Sequence, residues 1–169
     1  MKKLWCTNFL SFKRIALENE WNKNVPNDVA IISINNSLEN GFEDEYHVCN
    51  DAENVLNLNF DDVDPTHLDL DDDIETFTYK RNNNTITSIH FFTKEMANKS
   101  VDFIEKNKDK NFFIHCSAGI SRSQAFVLFI QNTYFDNKFE LNPTNPCISP
   151  NGHVYSKLCE AHRIKNNIS

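Results

Sequence analysis

The sequence lacks the features that mark several large classes of protein. Its 17 Lys and Arg residues are outnumbered by 24 Asp and Glu residues, for a formal net charge of −7, whereas nucleic-acid binders and polybasic membrane proteins need clustered Lys and Arg. No run approaches the roughly 20 apolar residues of a membrane span. Arg14 and polar residues interrupt the N-terminal apolar stretch too early for a signal peptide. We therefore expect a cytoplasmic protein that binds neither nucleic acid nor membrane.

The cysteines lack the spacings of metal and redox sites. There are five of them, an odd number, with no Cys-x-x-Cys pair and no His/Cys spacing of the zinc type. Reduced thiols in a cytosolic compartment are the expected state, and no metal or cofactor is predicted. We interpret four cysteines as small apolar fillers: Cys6, Cys49, Cys147 and Cys159.

What the chain does have is enough apolar sequence for one packed core. Hydrophobic residues make up 40% and aromatic residues 12% of its 169 positions, a composition typical of globular rather than disordered proteins. That length suits one domain. We predict a single domain over 1–169, and we expect a monomer.

Strand and helix patterns alternate along the chain. Short β-branched or alternating runs predict strands at 28–34, 54–60 and 111–115, and residues 1–50 are expected to supply strand, helix and strand. Helices are predicted at 86–107, at 121 to about 135 and at 154–164. This alternation predicts an α/β fold with a central, mostly parallel sheet flanked by helices. The acidic segment 61–75 is expected to be mostly a solvated loop.

The most informative stretch places a cysteine and an arginine on one short loop, in the string HCSAGISRS at 115–123. It lies where a predicted strand meets a buried helix, so backbone N–H groups and the helix dipole favour an anion there. Gly119 allows a tight loop, and Arg122 can direct two donors at two phosphate oxygens. In that positive potential the Cys116 thiol should ionise well below the free value of about 8.5, which makes it a candidate nucleophile towards phosphorus.

The string IHCSAGISRS resembles the phosphate-binding signature of the cysteine-dependent protein tyrosine phosphatases, and it is most similar to the dual-specificity branch. The resemblance covers roughly residues 50–164. It implies that Cys116 is the nucleophile, that Arg122 clamps the phosphate, and that the Ser123 hydroxyl aids breakdown of the phosphoenzyme. His115 would order the loop and help to depress the thiol pKa. Backbone amides would bind the phosphate oxygens at Ser117, Ala118, Gly119, Ile120, Ser121 and Arg122.

Phosphate ester cleavage also requires a general acid to protonate the leaving oxygen. Asp61, Asp62 and Asp64 follow the predicted strand 54–60, and the family pattern places Asp62 at the acid position, with Asp61 as the alternative. The stretch 64–85 is longer and more acidic than a simple acid loop of the family.

Together these residues predict a phosphoprotein phosphatase that hydrolyses phosphotyrosine, with weaker action on phosphoserine and phosphothreonine, through a cysteinyl-phosphate. The alternatives are a phosphatase for a phosphoinositide or an RNA 5′ end, and a non-catalytic phosphopeptide-binding module. A sulfurtransferase has no use for the Arg-Ser ending, and low-molecular-weight phosphatases carry the cysteine loop near the N-terminus. Surface or core packing is expected for five histidines: His47, His67, His90, His153 and His162.

Overall fold

The computed structural model describes residues 2–37, 47–82, 84–134, 140–143 and 148–168. These form seven strands: β1 Lys3–Asn8, β2 Val29–Asn35, β3 Val55–Asn59, β4 Thr76–Lys80, β5 Ile86–His90, β6 Asn111–Cys116 and β7 Glu140–Pro143. They also form four α-helices: α1 Phe9–Glu18, α2 Lys94–Asn107, α3 Arg122–Tyr134 and α4 Gly152–Lys165. A short 3₁₀ helix covers Pro65–Leu68. No helix in these ranges is long and apolar enough to cross a membrane.

Five strands form one parallel sheet in the order β3-β2-β6-β1-β7, while β4 and β5 pair as a separate antiparallel hairpin. The expected α/β fold with a central parallel sheet flanked by helices is confirmed. β6 lies at the centre, between β2 and β1. In such sheets, ligands bind beyond the carboxyl ends of the strands, and the loop after Cys116 leaves β6 at that edge.

Alternation along the strands divides the core into two layers. α1 covers one face, packed on Trp5, Ile31 and Phe113, whereas α2, α3 and α4 cover the other face, packed on Leu4, Ile32 and similar residues. His115 belongs to the α1 face, since its ring stacks on Phe12 with a centroid separation of 4.1 Å, and Cys116 belongs to the opposite core cluster. The side chains of these two neighbouring residues therefore pack on opposite faces of the sheet.

The helix boundaries follow from side-chain caps. Asn8, Thr93 and Asn151 each accept a hydrogen bond from a backbone amide of the first turn of α1, α2 and α4, respectively, which satisfies donors that the helix leaves open. α3 has no amphipathic pattern because it is buried on nearly every side between the sheet and α4. The predicted buried helix near 121–135 and the last helix near 154–164 are confirmed.

The prediction of one helix over 86–107 is wrong in its first part. Residues Ile86–His90 form strand β5, and α2 begins only at Lys94, after the Thr93 cap. Ile86 and Ile89 fit helical spacing, but the segment TITSI is rich in β-branched residues, which favour strands. Pairing with β4 favours the strand over the helix, because Phe77 and Ile89 lie opposite each other in the hairpin.

The acidic segment 61–75 is only partly the solvated loop that we expected. Asp61 is 8% exposed, and Pro65–Leu68 forms the 3₁₀ helix. Asp72 and Asp73 both form ion pairs with the buried Lys157 of α4. The segment is therefore attached to the fold at its start and near its end.

Candidate active site

The loop between β6 and α3 is shaped by Gly119. Its φ of +72° lies in the left-handed region, which favours glycine over other residues. A Cβ atom at this position would also lie 2.7 Å from the backbone carbon of Thr7 and 2.9 Å from the amide nitrogen of Asn8. Because glycine has no Cβ atom, the loop can adopt this backbone angle and pack closely against the end of β1.

The Cys116 sulfur sits inside this curl. Cys116 is the last residue of β6 and is 1% exposed. The Gly119 amide donates to its Sγ at 3.3 Å, and the Ser123 hydroxyl lies 3.1 Å from Sγ. A backbone N–H aimed at sulfur stabilises a thiolate, so the loop directs positive potential at the predicted nucleophile.

A second cysteine orients the Ser123 hydroxyl. Cys6 of β1 donates its thiol hydrogen to Ser123 Oγ over 3.2 Å, and burial raises the pKa of the Cys6 thiol to about 12. Cys6 therefore stays a protonated donor at neutral pH. Since Ser123 Oγ accepts from Cys6, its own hydrogen is available to Cys116 Sγ, and the filler role predicted for Cys6 is incomplete.

Arg122 is held at the first position of α3 with its guanidinium nearly buried, at 3% exposure. Nη1 donates to the Phe60 carbonyl at 2.6 Å, and Nη2 donates to Ser117 Oγ at 2.9 Å. Its Nε is buried with no hydrogen-bond partner. A buried cationic donor without a hydrogen-bond partner is costly unless a ligand satisfies it, so Nε is suited to receive an oxyanion.

Asp62 reaches the same loop from the end of β3. Its Oδ1 accepts from the Ser121 hydroxyl at 2.8 Å and from Asn151 Nδ2 at 2.9 Å, while Oδ2 lies 4.0 Å from Arg122 Nε. Two donors thus fix one carboxylate oxygen and leave the other directed towards Arg122. The structure brings Asp62 and Arg122 together, although they are sixty positions apart in the sequence.

Asp61 does not share this environment. Its carboxylate accepts from the Ser37 hydroxyl at 2.9 Å, from the Ser37 amide at 3.2 Å and from the His90 amide at 2.9 Å. These contacts join the chain before β3 to the base of the β4–β5 hairpin. Asp61 has the surroundings of a structural residue.

His115 lies under the loop on the α1 face. Burial, with a smaller contribution from the charges of His47 and Arg122, lowers the pKa of its imidazole to about 3. The ring is therefore neutral at physiological pH and offers no positive charge to the thiolate. Any influence that it has on Cys116 acts through the backbone that the two residues share.

Sequence reasoning missed several residues around the site. Asn151 caps α4 through Oδ1 and binds Asp62 through Nδ2; its position before an amphipathic run indicates a cap, but nothing in the sequence indicates the second contact. His153 contacts Asp72 and the Phe92 carbonyl, and His47 lies 2.8 Å from Ser33 Oγ. These two histidines have specific polar partners beyond general packing.

The remaining candidates stay apart from the loop. Cys49 is buried and Cys159 half-buried, both as free thiols, and Cys147 lies outside the described residues. His162 packs edge-on against Phe129 and Tyr134, and His67 is exposed. Within the described part of the chain, no group of three or more His, Cys, Asp and Glu residues could hold a metal ion.

No family model matches this chain, and no curated protein is significantly similar to it.

Proposed function

We propose that this protein is a cysteine-dependent phosphatase for phosphoproteins, with the fold and loop of the dual-specificity protein tyrosine phosphatases. The observation that carries the proposal is the meeting of Cys116, Arg122 and Asp62 at one loop. A thiolate, an open guanidinium donor and a carboxylic acid are the three groups that cleavage of a phosphate monoester through a covalent intermediate requires.

In the first step the Cys116 thiolate attacks phosphorus. An S–P bond forms, the P–O bond to the ester oxygen breaks, and Asp62 passes its proton to that leaving oxygen. The loop amides and Arg122 Nε bind the other phosphate oxygens, whose charge rises in the transition state. The Gly119 N–H lies 3.3 Å from Sγ and points into the loop.

In the second step water attacks the phosphocysteine. Ionised Asp62 takes a proton from the water, a new P–O bond forms, and the S–P bond breaks to release phosphate and the thiolate. The Ser123 hydroxyl, 3.1 Å from Sγ, donates to the departing sulfur and lowers the cost of its negative charge. Cys6 holds the hydroxyl in the orientation that makes this possible.

The residues near the loop favour a peptide substrate with one phosphate. Between Cys116 and Arg122 the chain has no charged residue, so nothing there meets the additional phosphates of an inositol lipid. Asp62 lies at the start of the acidic segment 61–75, and the field of that segment repels polyanions such as RNA or an anionic membrane while tolerating neutral or basic peptides. Phosphotyrosyl peptides are the expected substrates, with weaker action on phosphoserine and phosphothreonine.

The test of the chemistry is the substitution Cys116→Ser. The unchanged protein is expected to hydrolyse an aryl phosphate, and the variant is expected to lose turnover while it keeps its fold and binds phosphate, because a serine hydroxyl is not ionised at neutral pH. Turnover by the variant above a few per cent of the parent rate, with contamination excluded, contradicts the covalent mechanism. If the unchanged protein binds a phosphopeptide without hydrolysing it, the protein is a binding module.

The substrate class is tested by comparing kcat/KM on four substrates: a phosphotyrosyl peptide, a phosphothreonyl peptide, a phosphoinositide and a 5′-triphosphate RNA. We expect the highest value for the phosphotyrosyl peptide. A higher value for the lipid or the RNA would overturn the choice of a phosphoprotein, but would leave the covalent chemistry in place.

A further inference from the structure

An unusual row of polar side chains crosses the α1 face of the sheet. Thr7 and Ser33 lie on either side of His115 in the strand register, and Asn57 lies beside Ser33 on the edge strand. The corresponding row two residues earlier is apolar, with Trp5, Phe113, Ile31 and Val55. A polar row inside a packed layer needs partners, because each unpaired buried polar group is costly.

His47 supplies a partner to Ser33, one member of this row, from outside the sheet. Its Nδ1 lies 2.8 Å from Ser33 Oγ, and its Nε2 lies 3.0 Å from Asn59 Oδ1. Ser33 Oγ in turn lies 2.7 Å from His115 Nε2. The four side chains form a continuous hydrogen-bonded chain that ends at the residue before Cys116.

The chemistry of each group fixes where the hydrogens are. Asn59 Oδ1 can only accept, so His47 carries a hydrogen on Nε2. Burial lowers the pKa of His47, so near neutral pH its Nδ1 is a lone pair that accepts from the Ser33 hydroxyl. Ser33 Oγ is then left to accept from His115, which must carry its hydrogen on Nε2.

We propose that His47 is a positioning residue for the nucleophile and that it acts through Ser33, whose hydroxyl it orients to hold the His115 ring under the loop. The ring is clamped between this bond and Phe12, on which it stacks. It thereby fixes the end of β6, from which the loop departs with its Gly119 amide aimed at Cys116 Sγ. The inference rests on the proposed function only in treating Cys116 as the nucleophile.

Other titratable groups face the two ends of this chain. Cys6 from β1, Arg122 from α3 and Asp62 from the end of β3 surround the thiol or its immediate contacts. At the far end, Asp51 acts on His47 by charge. Substitutions of His47 and Ser33 leave all four of these groups in place, so a change in Cys116 reactivity reports on the hydrogen-bonded chain.

The experiment measures alkylation of Cys116 by iodoacetamide, resolved from the other cysteines by mass spectrometry. It compares the alkylation rate near neutral pH with the rate at alkaline pH. The variants are His47→Leu, Ser33→Ala and the two combined, with His47→Gln as the conservative variant and the exposed His67→Gln as the matched control. The amide of Gln can accept from Ser33 and donate to Asn59 as neutral His47 does.

We expect His47→Leu and Ser33→Ala each to slow alkylation near neutral pH by about twofold to tenfold, the range set by the net worth of one hydrogen bond. At alkaline pH the rates should converge. The double variant should be no slower than the slower single variant, because both changes break the same chain. His47→Gln should restore the parent rate, and the nitrogen chemical shifts of the His115 ring should show its hydrogen on Nε2.

Three outcomes overturn the inference. One is an unchanged rate in His47→Leu, another is strict additivity in the double variant, and the third is faster alkylation of Cys6 and Cys49 as well as Cys116, which indicates general loosening. If Cys116 of the unchanged protein reacts near neutral pH no faster than the half-buried Cys159, the proposed function loses its nucleophile. If Cys116 is reactive but its alkylation rate does not change in His47→Leu, only this inference is contradicted and the proposed function stands.

Discussion

Two adjacent carboxylates after β3 show how position decides the role of a residue. Asp61 is buried and accepts three hydrogen bonds from Ser37 and His90, whereas the side chain of Asp62 is 37% exposed and meets the loop through Ser121 and Arg122. A general acid needs access to the leaving group and a carboxyl oxygen that can release a proton. Only Asp62 of the two has both.

Asp62→Asn should therefore slow turnover by roughly 10²–10⁴-fold, the usual contribution of general acid–base catalysis, and should remove the basic limb of the pH profile of kcat/KM. The amide keeps the size of the side chain and can still accept from Ser121 or Asn151, so the free energy of unfolding should change little. Steady-state kinetics on an aryl phosphate and urea unfolding measure the two effects.

The matched control is Asp61→Asn. It places an amide where two donors on Ser37 and one on His90 converge, so it should destabilise the fold by about 1–3 kcal/mol, the cost of breaking a buried hydrogen-bond network. Turnover per folded molecule should fall only slightly. The reverse ranking of the two variants in turnover would move the acid to Asp61.

At the level of elements, the sequence predicts the parts of the fold that have strong local patterns. The β-branched run of β2 and the alternation of Leu56 and Leu58 in β3 are confirmed, as are α3 and α4, because burial on one face leaves a periodic pattern and burial on all faces leaves an unbroken apolar run. The helix predicted from Ile86 is wrong since two isoleucines are too short a pattern to exclude a strand, and in β5 they point to opposite faces, with Ile86 exposed. Pairing with β4, which is not a local property, settles that segment.

The candidate site divides in the same way. Cys116, Gly119 and Arg122 lie within one loop and can be found from their spacing alone. Asn151 and Cys6 cannot, because their contacts with Asp62 and Ser123 join residues 89 and 117 positions apart. Such contacts depend on how β1 and α4 pack against the loop, which no local pattern records.

A substitution of Asn151 can separate the two roles of its side chain, the cap of α4 and the hydrogen bond to Asp62. In Asn151→Ser the hydroxyl can still cap the helix, so stability should stay within about 0.5 kcal/mol, but the short side chain loses the donor to Asp62. Turnover should fall severalfold. Thr93→Ala is the control, since it removes the cap of α2, which Thr93 makes with the Met96 amide, and should cost about 1 kcal/mol of stability while sparing turnover.

Measurements of kcat and of thermal unfolding on both variants give a clear decision. Equal losses of stability in Asn151→Ser and Thr93→Ala, with turnover unchanged in both, would show that Asn151 acts only as a cap. Loss of turnover in Thr93→Ala would show that helix capping in general, and not the Asp62 contact, limits activity.

For the molecule as a whole, the buried His115 and the half-buried His47 contribute to the dependence of stability on pH. Burial lowers the pKa of His115 to about 3, and it also lowers that of His47, whereas both rise to the ordinary value of about 6.5 on unfolding. Between the native and the unfolded pKa values, the unfolded chain binds more protons than the native state. The free energy of unfolding therefore rises with pH across this range and falls on acidification. The lowered pKa values of Asp64, Asp72 and Glu105 act in the same direction at lower pH.

The expected result is a change of slope in His115→Gln. Gln cannot titrate, and its amide can still donate to Ser33, so this variant should lose one proton's share of the pH dependence, about 1.4 kcal/mol per pH unit between roughly pH 4 and 6. Urea unfolding across that range measures it, with slopes rather than absolute values compared, because the variant also loses stacking on Phe12. The exposed His67→Gln should leave the slope of the unchanged protein intact. A parallel slope in His115→Gln would mean that His115 takes up its proton in the native state, and the neutral chain from His47 to the loop would then be wrong.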